Sequence, residues 1–235
     1  IAQCASAEPI VRTLSNGLTV VVDEMHSSPV AAVRFYVRAG SAYESEYLGA
    51  GIFHYIEHLM GRGSRSMTDE EIEYLQEALG NQTNAYTSYS HTCYHMASAA
   101  RYVDDMIRMI GDYVFFPRLD QTDIDTQRGI ILREMAMGDD DPGRKLWYLL
   151  ESTMFTVHPE RYRVIGYPEP FKAITRDDLV KFHKRMYTTD NIVAVVVGDF
   201  QADHVLATVE ECLGDVPRTG TVFPALPQEP AQLSE

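Results

Sequence analysis

His54, Glu57 and His58 lie together in the stretch His54-Tyr55-Ile56-Glu57-His58. On an α-helix, at about 100° per residue, the two imidazoles fall within roughly 40° of each other, so both can reach one ion from the same face. Glu57 stands about 60° from His54 on the other side and can point toward that ion's open position. Two neutral imidazoles suit zinc, and a catalytic zinc keeps three protein ligands and a water. Zinc lowers the pKa of that water, and a nearby carboxylate can take its proton as it attacks a carbonyl. The same residues would also fit an amphipathic helix carrying two incidental histidines. The Glu between them and the flanking Gly51 and Gly61 favour the metal site.

Such a site needs a third ligand. From Thr126 to Gly138 the one acidic residue is Glu134, set among Ile130, Ile131, Leu132 and Met135, which predicts a largely buried helix. A carboxylate near a buried face is costly unless it is paired or metal-bound. The residues alone leave two partners open, a metal ion or a salt bridge to Arg128 or Arg133. His91 and His95 make a second pair that would share one side of a strand. They read as structural or substrate-side groups rather than ligands. Asp139-Asp140-Asp141 reads as a solvated turn following a helix that ends at Gly138, and Trp147, the single tryptophan, reads as a core anchor.

The elements that must position these groups follow from turn and cap signals. Ser15-Asn16-Gly17 predicts a hairpin between Val11–Leu14 and Leu18–Val22, with a third strand over Val30–Arg38. A helical pattern runs from Leu48 through Met60. Thr68 with Glu71 forms a capping box for a helix closed by Gly80. Thr83–Ala97 reads as one or two strands, and Tyr102–Val114 and Asp123–Met137 read as helices. Further helices follow Pro142 and the Thr175 cap, then a buried strand spans Asn191–Asp199 and a last helix Asp203–Leu213. Pro217, Pro224, Pro227 and Pro230 mark an extended linker over 217–235. Strands and helices do not alternate strictly, so the expected fold class is α+β, a largely antiparallel or mixed sheet with helices packed on it.

Composition narrows the function. Twenty basic against 34 acidic residues give a net charge of −14, which argues against a nucleic-acid partner. No apolar run approaches the ~18 residues of a membrane span. Cys4, Cys93 and Cys212 show neither metal-ligand spacing nor a disulfide framework. Residues 1–9 read as an N-terminal extension, in which Ala5-Ser6-Ala7 has the small-x-small form of a signal-peptidase site and hints at export to a bacterial periplasm.

Several segments together resemble the pitrilysin and mitochondrial processing peptidase family, whose inverted H-x-x-E-H motif matches His54–His58. They include Leu14-Ser15-Asn16-Gly17-Leu18, Ala39-Gly40-Ser41-Ala42-Tyr43-Glu44, Asn84-Ala85-Tyr86-Thr87, Gln127 through Glu134, and Val195-Val196-Val197-Gly198-Asp199. The resemblance covers about residues 10 to 215 and makes 10–216 the zinc-bearing, N-terminal domain of such a peptidase.

It implies one Zn2+ per chain on His54, His58 and Glu134, with Glu57 as general base. Asn84 and Ala85 would lie on an edge strand that pairs with an extended peptide. The family usually carries a second Glu where this chain has Gln127, which can still hydrogen-bond near the metal but brings no charge. It commonly has Phe-x-Gly-Thr after the motif, where this chain has Gly61-Arg62-Gly63-Ser64. An active unit of the family pairs this domain with a second homologous domain or a partner chain, as in a dimer. The implied function is a zinc endopeptidase acting on extended or unfolded polypeptide. Its rival is a noncatalytic subunit, scaffold or peptide carrier.

Overall fold

The structure, a computed structural model, describes residues 8–80 and 82–231. The Ala5-Ser6-Ala7 segment lies outside these residues. The hairpin strands are β1 (Ile10–Thr13) and β2 (Thr19–Glu24), antiparallel in the register Thr13 to Thr19. Asn16 builds the turn, since its Oδ1 accepts from the Leu18 amide at 3.1 Å. Its Nδ2 donates to the carbonyl of Leu213 at 2.7 Å, which ties the turn to the far end of the chain.

Strands β3 (Val30–Val37), β4 (Gln82–Thr87), β5 (Thr92–Ala99) and β6 (Ile192–Gly198) complete one sheet in the order β1-β2-β6-β3-β5-β4. All neighbours are antiparallel except β2 and β6, which run parallel. The mixed sheet and its helices make the fold α+β. Alternation in β3 and β6 sends Val33, Phe35, Val37, Ala194 and Val196 into the core, each at most 1% exposed, while Arg34 and Tyr36 stay on the open side. Edge strand β4 is mostly exposed.

Helix α1 (Ile52–Leu59) follows two 3-10 turns and starts later than the expected Leu48, because Gly51 takes a left-handed φ of +72° that interrupts the helical backbone. It packs against α4 (Gln121–Asp140), reached through α2 (Asp69–Ala78) and α3 (Val103–Phe115). The Thr68–Glu71 capping box opens α2 as expected. Then come α5 (Pro142–Met154), α6 (Pro168–Lys172), α7 (Arg176–Met186) and α8 (Ala202–Leu213). Sequence reading missed the short α6. Residues 217–231 form neither helix nor strand, but they are tied down: the Glu229 carboxylate accepts the amides of Val157 and His158 at 3.1 and 2.9 Å.

Three expectations are corrected. Gly138 does not end its helix; α4 runs on to Asp140, so the aspartate run is no free turn. Asp139 pairs with Arg163 at 2.7 Å and Asp141 caps α5 through the Arg144 amide, which gives two of the carboxylates fixed partners. Helix α4 is not largely buried, since it lies at the rim and sinks one stripe, Ile124, Gln127, Ile131, Met135 and Gly138. Trp147 is no core anchor: it is 58% exposed, because α5 turns Glu151 inward and leaves Leu146, Trp147, Leu149 and Leu150 outside. Among the described residues no helix is long and apolar enough to cross a membrane.

The end of β2 is clamped to the chain after β6 by one imidazole. His26 Nδ1 lies 2.6 Å from Asp199 and Nε2 lies 2.7 Å from Glu24. Both partners are acceptors, so both nitrogens must carry protons. The hydrogen bonds to Asp199 and Glu24 raise the imidazole's pKa above its ordinary value. The clamp's stabilisation is therefore complete below about pH 6.5 and lost as pH rises through the folded value. It is small because the group is exposed. His26→Asn should lower the melting temperature at about pH 5.5 and leave it nearly unchanged at about pH 9, as differential scanning calorimetry at the two pH values would show.

Candidate metal centre

Helix α1 buries Ile52, Phe53, Tyr55, Ile56 and Leu59, which leaves His54, Glu57 and His58 on its other side. Full burial of such side chains stabilises by about 1.5–3 kcal/mol each. Phe53 meets Phe182 edge-on at 4.8 Å, and the Tyr55 hydroxyl donates to the Ile124 carbonyl of α4. This apolar face fixes the rotation of α1 and so the direction of its imidazoles.

His54 Nε2 and His58 Nε2 stand 3.8 and 3.6 Å from Glu134 Oε2 of α4. Ligand atoms of the three residues all lie within 4.8 Å of one another. Ligands at about 2.0–2.1 Å in a tetrahedron are separated by roughly 3.3 Å, so the set fits a zinc ion with little adjustment. Burial, then the neighbouring His58, pulls His54 down to about 3. His54 is thus neutral, the form that ligates metal, and its contact with Glu134 is no ion pair. Neither alternative partner competes, since Arg128 donates to the carbonyls of Phe171, Lys172 and Ile174. Arg133 makes no salt bridge with Glu134 among the described residues.

The supporting groups are placed as follows. Gln127, buried on α4, brings its Oε1 to 3.2 Å from His58 Nδ1. That acceptor holds the proton on Nδ1 and leaves Nε2 free toward Glu134. Glu57 accepts from the Thr87 hydroxyl of β4 at 2.7 Å. Burial raises its pKa against the pull of Thr87 and His58, which suits a group that takes up a proton. A cavity of about 330 Å3 opens beside Glu57 and His58, bounded by Arg62, Glu73, Asn84 and Ala85. On β4, Asn84 is exposed, and its Oδ1 accepts from the Ala85 amide at 2.9 Å. His91 and His95 lie apart from the centre: His91 contacts the Tyr86 hydroxyl at 3.1 Å, and His95 sits opposite Arg34 on the open sheet side.

Sequence reading missed Thr87 as the anchor of Glu57. Its signal was present in the segment Asn84-Ala85-Tyr86-Thr87, but only the strand register shows that Thr87 reaches across to α1.

Residues 19–167 match the insulinase family (Peptidase family M16), and residues 173–235 match the Peptidase M16 inactive domain. Both stretches contribute to the one sheet, since β6 lies between β2 and β3. The chain is 33% identical over 202 residues to a protein of Mycobacterium leprae named as an uncharacterized zinc protease, covering 86% of this chain and 45% of that protein. It is 28% identical over 209 residues to the mitochondrial-processing peptidase subunit beta of Caenorhabditis elegans, covering 89% and 45%. The human cytochrome b-c1 complex subunit 1 is 29% identical over 213 residues, covering 90% and 44%. The chain thus spans about half the length of these relatives. Among solved structures, a protease from Helicobacter pylori superposes with a TM-score of 0.87 at 23% identity, over 95% of this chain and 54% of that one. The first half of the periplasmic protease PqqL from Escherichia coli gives 0.87 at 21%, over 98% and 51%. These two likenesses show the fold. With a matched region that spans most of the sheet and both helices of the metal centre, the chain belongs to the insulinase peptidase family, M16.

Proposed function

We propose that the chain is the metal-bearing half of a zinc endopeptidase that hydrolyses extended or unfolded polypeptide. The observation that carries this reading is the convergence of His54, His58 and Glu134, with Glu57 of the same helix as the two histidines lining a cavity alongside His58. Zinc, when bound by these three residues, would supply Lewis acidity toward the scissile carbonyl and the attacking water. Glu57 takes the proton of the attacking water and passes it to the leaving amine. Thr87 holds the Glu57 carboxylate in place, and Gln127 holds the His58 tautomer. Asn84 and Ala85 offer the edge on which a peptide adds as a strand; pairing there replaces the Asn84 side chain at the Ala85 amide.

Zinc and base do not make a complete peptidase site. The peptide must also be held in register and its developing oxyanion stabilised out of water. The cavity is walled by α1, α2 and β4, with Tyr94, Tyr113 and Gln127 behind them, and its open side is the place for a second homologous domain or partner chain. The second reading, a noncatalytic subunit or peptide carrier, takes support from the relative named for the cytochrome b-c1 complex. The intact donor set and base weigh for the enzyme.

Three outcomes are expected. The purified chain holds about one zinc, and Glu134→Gln loses most of it by elemental analysis; full occupancy in the variant would remove Glu134 from the ligand set. Glu57→Gln keeps zinc and fold, but lowers hydrolysis of a quenched peptide by at least ~100-fold in the completed enzyme. The isolated chain turns over well below about 1 per second and gains when the companion domain is added in trans. A fast isolated chain would end the half-site proposal.

A further inference from the structure

Glu44 is wholly buried, at 0% exposure, in the 3-10 turns before α1. Its Oε1 accepts from the Phe53 amide at 3.1 Å and its Oε2 from the Gly51 amide at 3.2 Å. The amides of Ile52 and Gly49 also face the carboxyl and lower its pKa. A helix start leaves its first N–H groups without partners, and a side chain at the N-cap normally satisfies one of them. Here the N-cap is Gly51, with no side-chain bond to give. No other residue fits that position: a Cβ on Gly51 would stand 2.2 Å from the Ile165 carbonyl oxygen. From the other side a Cβ on Gly166 would stand 2.5 Å from the Ala50 carbonyl carbon. Two backbones cross at this point, and Glu44 supplies from seven positions upstream the cap that the crossing forbids locally.

Both carboxyl oxygens accept, so a proton on either would face an N–H group. Burial pushes the group up to about 8, against the amides that pull it down. The cap is therefore costly to bury, and the Gly51 and Phe53 amides and the positive end of α1 are what hold it there. The amide it grips on α1, that of Phe53, immediately precedes His54.

We propose that Glu44 is a positioning residue for the metal centre. Together with the packing of the apolar face, its grip on the Gly51 and Phe53 amides fixes the height of that helix, and so the place of His54 relative to Glu134 on α4. The proposal rests on the reading of His54, His58 and Glu134 as zinc ligands. Donors drawn from two separate helices have to be held to about 0.5 Å, and groups that only orient ligands are worth about 10–100-fold in metal affinity.

The test uses the whole chain and measures the zinc dissociation constant by chelator competition, the cobalt(II) absorption spectrum and the melting temperature of the metal-free form. Glu44→Gln keeps the shape but aims an NH2 group at a backbone N–H. Glu44→Asp keeps the carboxyl group with a shorter reach. Leu206→Ala, a buried site on α8 away from the centre, serves as the control for plain loss of stability. Glu44→Gln should weaken zinc by about 10–100-fold and alter the cobalt spectrum. Glu44→Asp should fall between it and the parent, and Leu206→Ala should melt earlier with both metal readouts unchanged. A Glu44→Gln protein that melts early yet binds zinc and cobalt like the parent would overturn the proposal. Should Glu44→Gln not fold, a folded Glu44→Asp protein with parental affinity would overturn it equally. A parent chain without zinc affinity would overturn the ligand assignment and this proposal with it, whereas a binding parent with indifferent variants overturns this proposal alone.

Discussion

Everything at the candidate metal centre depends on α1 being apolar on one side and polar on the other. Five of its eight residues are buried in the core, and the other three, His54, Glu57 and His58, have nowhere else to point. The burial that holds the helix also sets the chemistry. It keeps His54 neutral and raises Glu57, because both sit where a charge loses its water. A looser helix would lose position and protonation state together.

The sheet serves the centre at its edge rather than its middle. Insertion of β6 between β2, to which it is parallel, and β3, to which it is antiparallel, joins the first and last thirds of the chain and buries Val196 and Ala194. β4 remains at the rim, where Thr87 touches Glu57 and Ala85 faces the cavity. One strand thus both steadies the proposed base and offers the main-chain groups that a peptide would meet.

Much of this was legible from residue types. Asn16-Gly17 gave the hairpin because few other pairs adopt that turn, and Thr68 with Glu71 gave a helix start through two reciprocal bonds. The His54–Glu57–His58 spacing and the family segments pointed to residues that the structure gathers in one place. What stayed hidden depended on partners far along the chain. Gly138 carries a stop signal, yet the helix continues there, with Tyr148 and Arg144 of α5 lying beside it. Trp147 looks like core, but only the seating of α5 decides which side of that helix faces out. Glu44 has no local signature as a cap, since its amide partners lie beyond a loop.

The backbone crossing of Gly51 and Gly166 bears on how the protein is made. The two glycines are far apart in sequence, and contacts of that kind form only after the entropy of closing a long loop has been met. Helix α1, at eight residues, is too short to hold its turns alone and needs its seat against α4 and the chain around Ile165 and Gly166. The final setting of His54 and His58 against Glu134 thus depends on a contact between stretches more than a hundred residues apart, so the geometry of the candidate centre is a property of the assembled fold and not of α1 alone.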